Sequence, residues 1–555
     1  MLHFRRRMID NAHMRWSAPI PAFLGLLLVA CPPGEGETDT SPETTTTTGS
    51  TSTTTGMCPV GSLGCACTGG GACDPGLDCV AQVCVDLGPT TSTSGTTTTT
   101  TGSTTSSTTT TSSTTTDSDG AECDPKLGLK NDACPAELPY CSASGVCGDC
   151  SVLVACADAE PGMPVCDLES GACVQCTTAE DDACTGATPI CDMLTRTCVG
   201  CSIHAECPNS ACNIATGECL PTDNVISVYP DAPENGKCTT TVDGGKPYCY
   251  FDVAIQHAKK YGFSAGWTIR MLKGPDVHTA ATITGTDQPA TFAVLAYDDK
   301  TPAPEFQDVS VPVKITALAG KLTVYLDNLD IISLAGVSDL ADVECTNATL
   351  YLTRSRVRGG AGPGVRAKEC SLSIRDSVIA RNKSEGLEVN GGTLHMRNAF
   401  VSENGRHDTF GGGGVSLNNV AAVDIAYSTI VNNSNLAGKG DSIHCTSTTG
   451  TVRNSLVAQK IVDANMSIQC KNLSVSTSLI DGGDFVGAMN VEKAGSMILS
   501  LLDADMVTAV YRWKAAATEK PARWQSGDPR VDFEGDERPM VVDAEDYPGA
   551  DVFPE

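Results

Sequence analysis

Between Leu322 and Gly483 the chain repeats an eleven-residue phrase that reads apolar, any, apolar, any, any, small, any, apolar, with Asn or Gly often closing it. Its copies are LTVYLDNLDII from Leu322, LYLTRSRVRGG from Leu350, LSIRDSVIARN from Leu372, LHMRNAFVSEN from Leu394, VDIAYSTIVNN from Val423, GTVRNSLVAQK from Gly450 and LSVSTSLIDGG from Leu473. Apolar and polar positions alternate with period two, which is the pattern of a strand; a helix needs a period near 3.6. A strand unit recurring every 20 to 50 residues or so reads as a solenoid. The longer intervals carry extra Gly, Asn and Asp, so insertions fall in turns. The phrase therefore predicts an all-β fold, a right-handed parallel β-helix. Each copy would be one strand of a coil, with coils stacked about 4.8 Å apart.

A second, shorter phrase precedes each copy: VEC at Val343, VRA at Val365, LEV at Leu387, VSL at Val415, IHC at Ile443 and IQC at Ile468. Alternation sends the third residues inward, giving a column of Cys345, Ala367, Val389, Leu417, Cys445 and Cys470. The middle residues form an outward column of Glu344, Arg366, Glu388, Ser416, His444 and Gln469, on a face able to line a groove. Asn382, Asn404 and Asn433 close their copies at one position, so stacked amides are expected to bond coil to coil. Cys445 and Cys470 share an inward position on consecutive coils. Their separation of about 4.8 Å lies inside the roughly 4.4 to 6.8 Å span of bridged Cα atoms, and a disulfide is expected. Cys345 faces Ala367 instead, and a bond to Cys370 requires a turn that brings Cys370 back.

Upstream, Cys238 and Cys249 bracket a polar loop and are expected to be bridged. The stretch Phe251 to Ala258 has the spacing of a short amphipathic helix and is placed as the cap of the solenoid. Thr44 to Gly56 and Pro89 to Thr116 are almost wholly Thr and Ser, too polar to offset chain entropy, and read as disordered tethers that also accept O-linked sugars. The predicted organisation is a signal peptide over 1–30, a lipidated amino terminus and linker over 31–57, a disulfide-rich module over 58–86, a linker over 87–120, four four-cysteine repeats over 121–220 and the β-helix with its cap over 224–555. The β-helix from Asn224 onward is expected to be stable alone.

Cysteine and charge narrow the setting. The chain has 29 Cys and a formal charge of -29. Apart from Cys31 the cysteines fall into even groups, which favours disulfides and an oxidising compartment over zinc, because zinc would leave two cysteines of each unit idle. Three units close in a turn phrase ending in Gly145, Gly171 or Gly217, which suggests hairpins. Strong acidity argues against nucleic acid as a partner. Basic residues followed by the apolar run Phe23 to Ala30 read as a secretory signal too short to span a bilayer.

That run ends Leu28 Val29 Ala30 Cys31, and so resembles the bacterial lipoprotein signal. The resemblance makes Cys31 the lipidated residue and implies a membrane anchor in the cell envelope. The four-cysteine array resembles cysteine-rich repeats of deltaproteobacterial surface lipoproteins. From Asn224 the chain resembles the pectate-lyase-like superfamily of right-handed β-helix proteins: Tyr248 Cys249 followed by Ala254 Ile255 at the start, Gly535 Asp536 Glu537 Arg538 Pro539 and Gly549 Ala550 Asp551 at the end. Enzymes of that superfamily cut polysaccharides, the hydrolases with paired carboxylates, the lyases with an Arg or Lys base beside calcium held by Asp. The hydrolase phrases Asn-Thr-Asp, Gly-His-Gly and Arg-Ile-Lys are missing here, and Asp298 Asp299, the one Asp doublet of the domain, precedes the clear coils. If the chain is an enzyme, the candidates are Arg366, Glu388 and His444 of the outward column and Arg406, His407 and Asp408 of an insertion. A solvated polar ladder explains the column equally, and a guanidinium stays charged unless its surroundings are unusual. The favoured expectation is a lipid-anchored, non-catalytic surface protein that binds glycan, cell surface or matrix and needs no cofactor. The alternative is a lipid-anchored polysaccharide lyase or glycoside hydrolase, calcium entering only with the lyase.

Overall fold

The computed structural model describes residues 122–552, except for short internal segments, and two short strands, Asp78–Val80 and Val83–Val85. Cys31, both Thr-rich tethers, Asp298 Asp299 and the candidates Arg406, His407 and Asp408 lie outside the described residues.

The solenoid is a right-handed parallel β-helix whose strands form an 18-stranded and a 9-stranded sheet among the described residues. The shorter phrase pairs in the register read from the sequence: Glu344 opposite Arg366, Arg366 opposite Glu388, Glu388 opposite Ser416, Ser416 opposite His444, His444 opposite Gln469. The eleven-residue phrase differs from its reading as one strand. It is two strands with a corner between them, as in Thr349–Thr353 and Arg356–Arg358 around Arg354 and Ser355. Each coil thus has three strands. The corner residue takes the left-handed conformation in every copy: Asn328, Arg354, Asp376, Asn398, Tyr427, Asn454 and Thr477 have φ between 46° and 56°. That conformation suits Asn and costs more for other L-residues. After every corner but the first, where Leu329 follows Asn328, the next residue is small and buried, and the serines among these stitch coils together, as when Ser355 Oγ accepts from Leu329 N at 3.1 Å and Ser377 Oγ from Ser355 N at 3.1 Å.

The asparagine ladder forms at the next corner. Asn382, Asn404 and Asn433 are almost fully buried, and Asn382 Nδ2 donates to Asn404 Oδ1 at 3.0 Å while Asn404 Nδ2 donates to Asn433 Oδ1 at 3.1 Å. Gly386 has to be glycine here, since a Cβ would sit 2.7 Å from Asn404 Nδ2 and 2.6 Å from Val401 Cγ1. Inside the coils, one continuous apolar cluster runs from Ile226 to Ile480, and helix Phe251–Tyr261 buries Phe251, Val253, Ala254, Ile255 and Ala258 against it.

Two coverings complete the domain. On the outer face of the 9-stranded sheet Ile498, Leu502, Val510, Tyr511 and Trp513 meet Val378, Ala380, Phe400, Val431 and Leu456, while Ala522 and Trp524 pack on Ala426 and Tyr427. Strands Val378–Ala380 and Phe400–Ser402 are therefore buried at every position; the first is apolar throughout, and in the second Ser402 Oγ donates to Ala509 O at 2.7 Å. On another face, the fourth cysteine unit shares a cluster with the solenoid: Ala211 and Leu220 pack on Ala293, Leu295 and Tyr325. The interior core begins at Ile226, and the fourth unit is a covering packed on the outside of the solenoid.

The four units of the array pair first with third and second with fourth cysteine throughout. Each closes in a hairpin. Gly145, Gly171 and Gly217 supply the left-handed turn residue in three of them, and Arg196, φ 55°, supplies it in the third unit. Cys238 joins Cys249, and Cys445 joins Cys470 with Cα atoms 4.8 Å apart. Cys345 joins Cys370, with Cα atoms 6.3 Å apart, and the turn it requires is the left-handed Glu369, φ 52°.

Candidate functional site

The outward column is a ladder of partnered charges. Arg366 Nε donates to Glu388 Oε2 at 2.7 Å, Glu388 Oε1 accepts from Asn390 Nδ2 at 3.1 Å, and Lys314 lies 3.5 Å from Glu344. His444 is two coils from Glu388 in this column, about 10 Å along the axis at ~4.8 Å per coil. The structure brings Arg366 and Glu388 together and leaves His444 apart from both. Arg366 and Glu388 are thus engaged with each other, a geometry that suits neither a proton donor nor an arginine base facing a substrate.

The terminal phrases that carry the superfamily resemblance turn out to be clamps. Arg538 is buried with its Nη1 3.1 Å from Asp546 Oδ2, its Nη2 bonded to the Gly549 carbonyl at 2.9 Å, and its guanidinium carbon 4.1 Å from the centroid of the Tyr427 ring. Gly549 N and Ala550 N donate to Asn454 O and Thr429 Oγ1, both at 2.9 Å, so the closing Gly-Ala-Asp seats the last residues on the solenoid.

Asp532, Glu534 and Asp551 place carboxylate oxygens within 4.8 Å of one another. Calcium, which the lyase resemblance would bring, does not fit them. Asp532 Oδ1 already accepts the backbone N–H groups of Glu534, Gly535 and Asp536, each at 2.9 Å, and Oδ2 accepts that of Val552 at 2.9 Å. Asp551 Oδ2 accepts from Trp513 N at 2.8 Å. These oxygens are met by donors, which a cation would have to displace. Burial, with Glu534 and Asp532 nearby, pushes Asp551 up to about 8 and raises Glu534 as well.

What the sequence reading missed is a groove along the first corner column. Three cavities of about 340, 270 and 550 Å³ adjoin there: the first two share His204, Asp327 and Arg354, and the last two share Arg354 and Asp376. One wall is the fourth cysteine unit and the other is the loop Val531 to Gly535. Arg354 Nε donates to Asp327 Oδ1 at 3.0 Å, Arg375 Nε to Asp376 Oδ2 at 3.0 Å and Arg358 Nε to Asp330 Oδ1 at 2.9 Å. Burial raises the Asp376 carboxyl above the ordinary carboxylate range despite Arg375. Tyr325 and Tyr351, on consecutive coils, stack at 4.6 Å beside it. The one sequence signal was an outward tyrosine in each of two consecutive copies, fourth in the first and second in the next. The structure corrects the first copy's register by two residues, setting Val324 instead of Leu322 opposite Leu350, and so aligns the rings, while the opposing walls come from segments more than a hundred residues away.

Comparison with known proteins adds little chemistry. Residues 110–225, the span of the cysteine array, match a family of unknown function (DUF8331). None of the curated proteins compared matches the sequence. Among solved structures, the crystal structure of pectate lyase Pel9A is similar at 13% sequence identity and a TM-score of 0.31, over 59% of this chain and 96% of that one. Fold and site together define a disulfide-rich, capped parallel β-helix protein with a polar corner groove.

Proposed function

We propose that this chain is a lipid-anchored, extracytoplasmic surface protein whose β-helix binds glycan, cell surface or matrix without cleaving it. The observation that carries the non-catalytic reading is the 2.7 Å pair between Arg366 and Glu388: the charged groups best placed for cleavage on the outward column neutralise each other. Extracytoplasmic display draws support from the disulfides that pin every unit of the array, since such bonds persist in oxidising compartments. The anchor rests on Cys31 and the apolar run before it. Acyl chains transfer about 0.8 kcal/mol per buried CH₂, so several together hold firmly.

Two measurements test this reading. Membrane fractionation of Cys31→Ser should find the protein released; a cleaved Ser variant that stays with the membrane refutes the anchor. Incubation with a polysaccharide panel, with and without calcium, should yield neither new reducing ends nor unsaturated product. Turnover that disappears in Glu388→Gln would establish the competing reading, a lyase or glycoside hydrolase.

A further inference from the structure

Outward positions of consecutive coils run Tyr325, Tyr351, Ser373 in register. The two tyrosine rings stack with centroids 4.6 Å apart and planes 22° from parallel. Coils repeat every ~4.8 Å, so the next slot of the stack lies over Ser373, whose side chain is too short to fill it. That slot is the cavity of about 270 Å³, covered by Ile203, His204 and Ile214 of the fourth cysteine unit and edged by Arg354, Arg375 and Asp376. Burial lowers the His204 imidazole below its ordinary pKa, which keeps the cover uncharged at neutral pH, and its ring stands edge-on to Tyr325 at 5.3 Å.

We infer that this slot is the subsite for one sugar ring of a neutral polysaccharide, whose chain continues along the corner groove in both directions. The inference rests on the glycan-binding reading and gives it a place and a ligand class. A pyranose has a flat, apolar C–H face and a rim of hydroxyls. The Tyr351 ring face on the Ser373 side matches the first, and the interleaved guanidinium and carboxylate groups that line the cavity match the second. Charge selects neutrality. Within the slot Arg354 is balanced by Asp327 and Arg375 by Asp376. The adjoining cavity is lined by Glu305, Asp330, Asp376, Asp532 and Glu534 against Arg354 and Arg356, with Asp330 and Glu534 further paired with Arg358 and Arg512, and the whole chain carries -29; neither offers the unpaired positive charge that a uronate polymer needs.

Affinity electrophoresis of the full chain through gels containing neutral glucan, mannan or xylan, or polygalacturonate, tests this. At least one neutral polymer should retard the protein. Tyr351→Ala should weaken the retardation about tenfold, the scale of one lost ring contact. Ser373→Phe should weaken it as much by filling the slot with a third stacked ring, and thermal unfolding shows that this variant is folded. Lys471→Ala, an exposed change outside the groove, should retain binding. Undiminished binding by folded Ser373→Phe puts the site elsewhere and overturns the inference while the glycan-binding reading stands. Retardation by polygalacturonate alone overturns the neutral chemistry. No retardation by any polymer defeats this inference and removes its footing in the broader reading.

Discussion

Replacing Asn404 by Ala removes the middle rung of the buried ladder. Asn404 Oδ1 accepts from Asn382 N and Asn382 Nδ2, both at 3.0 Å, and its Nδ2 donates to Ile379 O at 3.0 Å and Asn433 Oδ1 at 3.1 Å. After truncation Asn433 Oδ1 keeps the Asn404 backbone N–H at 3.1 Å and Asn382 Nδ2 keeps a long contact to Val357 O at 3.5 Å, whereas the Asn382 backbone N–H keeps nothing. One buried donor left unpaired costs about 1–3 kcal/mol and each of the three other lost bonds about 1 kcal/mol, so the expected loss is about 4–6 kcal/mol. Asn382→Ala, at the end of the ladder, orphans only Gly360 N and should cost about half as much. Urea unfolding of the full chain by far-UV circular dichroism should rank parent, Asn382→Ala and Asn404→Ala in falling stability. Asn404→Asp sharpens the test: its ionised second oxygen would face the Ile379 carbonyl, so it should be destabilised at pH 7 and partly recover in acid, where the carboxyl can donate. If both Ala variants unfold with the parent, the ladder is a decoration of the corner and the reasoning fails.

Three further outcomes are expected. Arg538→Met leaves Asp546 buried without its cation, should cost about 3–5 kcal/mol and should open the last residues to limited proteolysis; unchanged protease resistance would show that the clamp is dispensable. Asp551, raised to about 8 mainly by burial, holds a proton in the folded chain that the unfolded chain loses near pH 4. Its contribution to stability is therefore complete in acid and declines as pH rises from about 4 to about 8, by up to about 1.4 kcal/mol per unit for one proton. Asp551→Asn should flatten that decline, and an unaltered slope would assign it to other groups. In an oxidising host, residues 200–555 should be soluble and residues 224–555 aggregation-prone, because the second removes Ala211 and Leu220 from Ala293, Leu295 and Tyr325; equal solubility would make the fourth unit a mere neighbour.

The sequence by itself determined the solenoid, its ladder and its register, except in the first copy of the long phrase, where Val324 and not Leu322 lies opposite Leu350. Stacking identical strands converts a one-dimensional repeat into columns, so Glu344 opposite Arg366 or Asn382 beside Asn404 follows from spacing alone. The same logic placed Cys445 next to Cys470. The third strand of each coil was also written there, in the five-residue step between the last two apolar positions of the phrase, which no continuous strand can keep on one face. It went unread because the corner residue is not constant: Asn328, Asp376, Asn398 and Asn454 suit left-handed backbone, but Arg354, Tyr427 and Thr477 do not, and the neighbouring coils impose it on them. Only the tertiary structure could decide what covers the solenoid. Tyr325 bonds to Asn213 across 112 residues at 2.8 Å, and Arg538 packs on Tyr427. Such contacts depend on shape complementarity between segments with no common period, and the corner groove exists because two of those segments stop short of meeting above Arg354 and Asp376.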